Sequence, residues 1–237
     1  MSKLPTRPSS GAVADFLAKA KSLPVLRAGG PAGRLVFALD ATASREPLWE
    51  QARAVQGEMF AAAQGAGGLE IQLAWYRGLG EFHASPFVSR TEELLARMRE
   101  VTCAAGETQV ARVLAHGAGE TRRRRIGALV FVGDAMEENV DALAARAGEL
   151  GILGVPCFMF LEGADPVARA AFERVARLSG GAFAPFDASS PRALRDLLAA
   201  VAAFAAGGRA ALEDLSRRRG GGPVALLASQ LGRPRGG

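Results

Sequence analysis

This 237-residue chain has few of the side chains that most often carry enzyme chemistry. Its two cysteines, Cys103 and Cys157, are too few for a disulfide framework. Cys157 lies in an apolar run and reads as an inert core thiol. The two histidines, His83 and His116, have no Cys or carboxylate neighbours at zinc-site spacing and read as surface residues. Aromatic residues make up only 6%, and of the two tryptophans Trp49 and Trp75 both read as packing residues, Trp49 one position off the expected buried stripe. No apolar stretch approaches the ~20 residues that cross a bilayer. The opening MSKLPTRPSS lacks the apolar h-region of a signal peptide, so no membrane span and a cytoplasmic address are expected. There is no G-x-G-x-x-G after the first strand, no Walker A loop and no G-x-S-x-G elbow, which argues against dinucleotide, P-loop nucleotide and α/β-hydrolase chemistry.

What the chain has is apolar content and length. At 49% hydrophobic residues it is built to fold, and its size suits one α/β domain with appendages. The net charge of +5 is unevenly spread: residues 1–33 and 207–237 each carry +4, and residues 34–206 carry −3. The basicity belongs to the ends, which weakens the case for a nucleic-acid groove on the folded core.

Three segments are expected: an N-terminal extension over 1–33, a domain over 34–206 and a basic Gly/Arg-rich tail over 207–237. Val13, Phe16, Leu17 and Ala20 place a short amphipathic helix within Gly11–Leu23, and the Gly/Pro/Ala run at 28–33 reads as a linker. From residue 34 strands and helices alternate. A strand at 34–40 precedes a helix at about 44–64 with a buried stripe of Leu48, Ala52, Val55 and Met59. A second strand from Leu69 to Trp75 has one wetter face, and Glu81–Val88 reads as a short edge strand broken by Pro86. A helix from Thr91 to about Val101 is followed by one carrying Val110, Val113 and Leu114, with Gly117 as its expected C-terminal cap. A strand at 126–132 leads to a helix from Asn139. A strand at 153–160 contains Pro156, which suggests an edge or a bulge. A helix over 165–178, a short strand through Phe183 and a helix opened by Ser190-Pro191 complete the series. This alternation predicts an α/β fold: a Rossmann-like, mostly parallel central sheet with helices on both faces. The tail reads as mobile apart from VALLASQL, a candidate docking segment.

The chemistry gathers at one edge of that sheet. In RLVFALDATAS (34–44) a buried strand runs into Asp40, with hydroxyls at Thr42 and Ser44, on the loop where open α/β sheets place their ligands. Oxygen donors with one charge suit a hard cation such as Mg2+; taken alone, the same loop equally describes a helix-capping network. Thr108 opens a helix after a small-residue loop, and Asp134 follows the apolar strand 126–132, so three loops at the same edge carry oxygen ligands. The D-x-T-x-S loop, the G-x-T-Q turn and the later Asp, in that order, resemble the von Willebrand factor A domain over about residues 34–206. The resemblance implies that Asp40, Thr42, Ser44, Thr108 and Asp134 form a metal-ion-dependent adhesion site. Such a site holds Mg2+, with Mn2+ as a substitute, and leaves a coordination position for an Asp or Glu of another protein. The family pattern has Ser where this chain has Thr42, which keeps the hydroxyl and adds a methyl group. Glu137 and Glu138 either assist the metal, repel acidic partners or, the reading preferred, lie at a solvated helix N-terminus.

The expected function is therefore non-enzymatic protein–protein interaction. The resemblance further implies an adaptor beside an ATPase or chaperone system of a bacterial cytoplasm. A metal-dependent phosphohydrolase using Asp40 is the alternative, although its D-x-D signature would need an acid at position 42. A third reading is binding of nucleic acid or an acidic partner through the basic tails. The Arg122–Arg125 run precedes the 126–132 strand, so it is expected at the opposite end of the sheet from Asp40, as a solvated run or a secondary acidic-partner surface.

Overall fold

The computed structural model describes residues 32–43, 46–63, 68–186, 191–219 and 222–231. Its first strand, β1 (Gly33–Asp40), is buried from Arg34 to Asp40, as its unbroken apolar run requires. It is followed by α1 (Glu46–Ala63), β2 (Leu69–Arg77), β3 (Glu81–Ala84), α2 (Thr91–Glu100) and α3 (Val110–Arg123). Then come β4 (Ala128–Gly133), α4 (Val140–Ile152), β5 (Cys157–Glu162), α5 (Pro166–Ser179), β6 (Ala182–Phe186), α6 (Pro191–Arg219) and α7 (Pro223–Gln230). The six strands form one sheet in the order β3-β2-β1-β4-β5-β6, parallel except for the β3 edge strand. This is the expected Rossmann-like α/β architecture.

Alternation along the central strands divides the core into two layers. Leu35, Phe37 and Leu39 of β1 pack with residues of α1, α2, α6 and α7. Val36 and Ala38 pack on the other face with α3, α4 and α5. Helix ends follow local chemistry. Asn139 accepts from the Asp141 and Ala142 amides to cap α4, and Asp165 accepts from the Ala168 amide before Pro166 opens α5.

Several expectations need correction. Gly117 does not cap α3, which continues to Arg123; it is an interior glycine against β4, where an added Cβ would lie 2.6 Å from Leu129 Cδ1. Pro156 marks neither an edge nor a bulge. It precedes β5, an inner strand between β4 and β6, and its carbonyl accepts from the Leu129 amide at 3.1 Å. The wetter face expected for β2 is covered by α3, so Gln72 is buried and its Oε1 lies 2.8 Å from His116 Nε2. His116 is accordingly half-buried rather than a surface residue, whereas exposed His83 stacks on Trp75 at 4.3 Å.

The stretch beyond residue 206, expected to be mobile apart from VALLASQL, is helical over most of its described residues, in the end of α6 and in α7. Gly208, at φ +65°, breaks α6 at the Gly-Gly pair where the last helix was expected to end, and the chain resumes as helix to Arg219. The VALLASQL segment forms α7 and docks: Val224 and Leu227 are buried, and the Gln230 amide exchanges two 2.7 Å hydrogen bonds with the Phe183 backbone of β6. Of the expected α1 stripe, Ala52 and Met59 are buried; the side chains of Leu48 and Val55 lie outside the described set. The helix expected within 11–23, Ser44 and the Ser190 cap also lie outside the described residues.

Candidate functional site

The chain turns from β1 toward β2 on one side of the sheet, while β4, on the other side of β1, continues to β5 and β6. The C-terminal ends of β1 and β4 therefore flank the topological switch point, where neighbouring connections diverge and leave a crevice. Register pairs Leu39 with Val132, which places Asp40 beside Gly133 and Asp134 one residue further on. Asp40 is 1% exposed. A buried carboxylate is costly unless hydrogen-bonded, paired or bound to a metal. Its Oδ1 accepts from the Thr42 amide at 2.7 Å, closing a tight turn directly after the strand. Its main-chain oxygen accepts from Trp49 Nε1 of α1 at 2.9 Å.

Backbone and side-chain bonds tie the three loops together. The Ala104 amide donates to the Ala41 carbonyl at 3.0 Å, joining the loop before α3 to the Asp40 loop. Thr108 is 9% exposed, and its Oγ1 accepts from the Glu137 amide at 3.1 Å, joining the loop before α3 to the Asp134 loop. Glu138 strengthens that junction. Its carboxylate accepts from the Val110 and Ala111 amides at 2.5 and 2.9 Å, satisfying two of the orphan donors at the N-terminus of α3. Burial pushes the Glu138 carboxyl up, and the Ala111 and Val110 amides and the Thr108 hydroxyl pull it back.

The structure thus brings the Asp40, Thr108 and Asp134 loops to one edge, with Thr42 partly buried and Asp134 partly exposed. Ser44, the fifth candidate, lies outside the described residues. Three residues support these loops, of which the sequence singles out Glu138 and Trp49 without these roles and gives no place to Tyr76. Glu138 is half-buried and caps α3, not its own helix. Trp49 is fully buried against Asp40. Tyr76, the cross-strand partner of Asp40, is fully buried, and its hydroxyl has no hydrogen-bond partner among the described residues. Burial first, then the Asp40 and Glu138 carboxylates, push the Tyr76 phenol well above its usual range. A polar tip near the C-terminal end of β2, two residues before the turn at 78–80, is the available signal for Tyr76.

Among the described residues no three His, Cys, Asp or Glu side chains converge as a metal cluster. The residues gathered at this edge, Asp40, Thr42, Thr108 and Asp134, are two acids and two neutral hydroxyls, a chemistry that would fit a hard, oxygen-seeking cation that keeps several of its waters. The buried Asp40 carboxylate and the orphaned Tyr76 hydroxyl beside it fit the same group, since both are polar groups that a dry core would reject.

The other candidate features resolve elsewhere. Burial pushes the Cys157 thiol up to about 12, in keeping with an inert core residue. The Arg122–Arg125 side chains are exposed at the end of the sheet opposite Asp40. Three of them pair internally: Arg122 with Glu149, Arg123 with Glu120, and Arg124 with Glu70.

No family model matches the chain, and no curated protein matches it by sequence. Solved structures do match in fold. The VWA domain of SpRpn10 aligns with a TM-score of 0.55 at 10% identity, covering 69% of this chain and 95% of that one. An aerotolerance-related membrane protein of Bacteroides fragilis aligns with a TM-score of 0.53 at 15% identity, covering 70% of this chain and 98% of that one. Proximal thread matrix protein 1 of the mussel byssus, with a zinc-occupied MIDAS motif, aligns with a TM-score of 0.56 at 12% identity, covering 84% of this chain and 53% of that one. No helix among the described residues is long and apolar enough to cross a membrane.

Proposed function

We propose that this chain, which has the von Willebrand factor A fold, is a non-enzymatic interaction domain that grips a carboxylate of another protein through a bound Mg2+. The observation that carries the reading is the buried Asp40 carboxylate at the switch point, with the Thr108 and Asp134 loops hydrogen-bonded into one edge around it. Asp40, Thr42, Ser44, Thr108 and Asp134 would hold the ion, which supplies a Lewis-acidic position for an incoming anionic ligand. Two carboxylates balance a divalent charge and neutral hydroxyls add none, so the ion keeps its attraction for a further Asp or Glu. The zinc-occupied motif of the mussel protein supports divalent occupancy on this fold; Mn2+ would substitute for Mg2+ in this oxygen-rich set.

Thr42 also weighs against hydrolysis, since the acid that a D-x-D phosphohydrolase places there is a methyl-bearing hydroxyl. The partner we propose is a protein with an exposed acidic side chain, with an ATPase or chaperone component as the leading class and a cytoplasmic setting. Calorimetric titration of the full chain with Mg2+ and with Mn2+ tests the site. Saturable binding in the wild type, lost in Asp40→Ala and weakened in Thr108→Ala, supports it. Binding that survives Asp40→Ala unchanged overturns it. Phosphatase turnover that Asp40→Ala abolishes would favour the hydrolase instead.

A further inference from the structure

We propose that Tyr76 is a positioning residue of this site: with the cation bound, its hydroxyl donates to the Asp40 carboxylate and holds it in the orientation that the ion requires. The inference rests on the metal reading above and adds a residue from β2, a strand that contributes no ligand to it.

The placement is set by the sheet. Tyr76 and Asp40 are register partners on β2 and β1. Gln72, Ala74 and Tyr76 alternate with Ile71, Leu73 and Trp75, and Val36, Ala38 and Asp40 alternate with Leu35, Phe37 and Leu39. Both Tyr76 and Asp40 therefore point to the α3 side of the sheet. The phenol ring is pinned. It stacks on Phe131 with centroids 6.2 Å apart, and Phe131 in turn meets Phe172 edge-on at 5.5 Å. Only the hydroxyl remains to be accounted for, and it has no partner at hydrogen-bonding geometry among the described residues.

A fully buried, unsatisfied hydroxyl is a destabilising feature that a phenylalanine would remove at no loss of packing. Its surroundings point to the use it serves. The groups facing it are the Asp40 and Glu138 carboxylates and the Gln109 backbone. Glu138 is engaged with the Val110 and Ala111 amides of α3, whereas Asp40 is the register partner of Tyr76 on the neighbouring strand. Asp40 Oδ1 is turned toward the Thr42 amide in the structure. The Asp40 carboxylate already acts directly on the hydroxyl beside it, so a carboxylate held by the cation would have this donor within reach. Donors of this kind, one bond removed from the ion, fix ligand orientation, and their loss typically costs about 10–100-fold in metal affinity.

The test compares the full-length wild type with Tyr76→Phe and uses Mg2+ alone as the probe. A merely structural hydroxyl predicts that Tyr76→Phe changes stability and leaves affinity alone. The positioning role predicts opposite signs: the metal-free variant is at least as stable as wild type, and its Mg2+ affinity falls by about 10-fold or more. Tyr76 is the single tyrosine of the chain, so ring-13C-labelled tyrosine gives one resonance to follow in the unaltered protein. That resonance should shift on saturation with Mg2+ in the wild type and stay fixed in Asp40→Ala. A Tyr76→Phe affinity within about twofold of wild type, or a tyrosine resonance that saturating Mg2+ leaves unmoved, overturns the proposal while the metal site stands. Absence of any Mg2+ binding by the wild type overturns both readings together.

Discussion

Trp49 Nε1 donates to the main-chain oxygen of Asp40 at 2.9 Å, with both residues shut away from solvent. A helix on one face of the sheet thereby holds the strand end that presents a carboxylate on the other face. Trp49→Phe removes the donor and leaves a void beside the turn. We expect a loss of about 1–3 kcal/mol in denaturant unfolding, combining the hydrogen bond with the cavity. Mg2+ affinity measured by calorimetry should fall at the same time. Undiminished affinity in a folded variant would show that the strand end holds its place without the indole.

Glu138 gives a second lever, because it caps a helix that belongs to a different loop. Glu138→Ala exposes the Val110 and Ala111 amides and frees Thr108 from its neighbour, at a cost of about 0.5–2 kcal/mol by comparison with local caps. Glu138→Gln keeps one acceptor oxygen and should recover part of that cost. Hydrogen exchange at the first turn of α3 separates the two variants. Equal protection in Glu138→Ala and wild type would rule out the cap.

Gly106 lies so close to the 78–80 turn that an added Cβ would meet the Gly78 backbone at 2.2 Å. Backbone cannot swing aside as a side-chain end does, so Gly106→Ala must displace the loop carrying Thr108. We expect about 1–3 kcal/mol of destabilisation and weakened Mg2+ binding, with the far-ultraviolet circular dichroism retained. Wild-type binding in this variant would mean that Thr108 is dispensable to the ion.

Burial lowers the His116 imidazole below its usual 6.5, with smaller opposing influences from Glu120, which raises it, and Arg123, which lowers it. The folded protein therefore takes up this proton less readily than the unfolded chain does. The His116 contribution to stability is complete above about pH 6.5 and declines as the pH falls below it. Thermal unfolding midpoints should drop more steeply between about pH 7.5 and 5.5 in wild type than in His116→Gln. Parallel pH profiles for the two proteins would count against the buried histidine.

The alternation of strands and helices was legible because the strands are nearly pure apolar runs and the helices have turn or cap signals at their ends. Asp40, Thr108 and Asp134 could be placed at one edge because each follows or precedes such an element. Gly117 and Pro156 depart from expectation for a common reason: the local conformational habit of each residue suggests a helix cap and an edge marker. In the fold Gly117 serves a close helix–sheet approach, and Pro156 stands one residue before a strand that needs no amide from it. The Gly and Arg content of the tail suggests mobility. Leu212, Leu215, Val224 and Leu227 are too sparse to give a strong periodic signal, yet all are buried in the core layer that α1, α2, α6 and α7 form on one face of the sheet.

The sequence by itself determined the architecture and the edge at which the oxygen donors gather. Hydrophobic periodicity fixes which faces are buried, and strand direction fixes which ends face the switch point. Only the tertiary structure decided what stands behind those donors. Trp49 on α1, Glu138 on the Asp134 loop and Tyr76 on β2 reach the site across distances that no local pattern encodes. Each became part of it through strand register, helix placement or the need of a buried polar group for a partner.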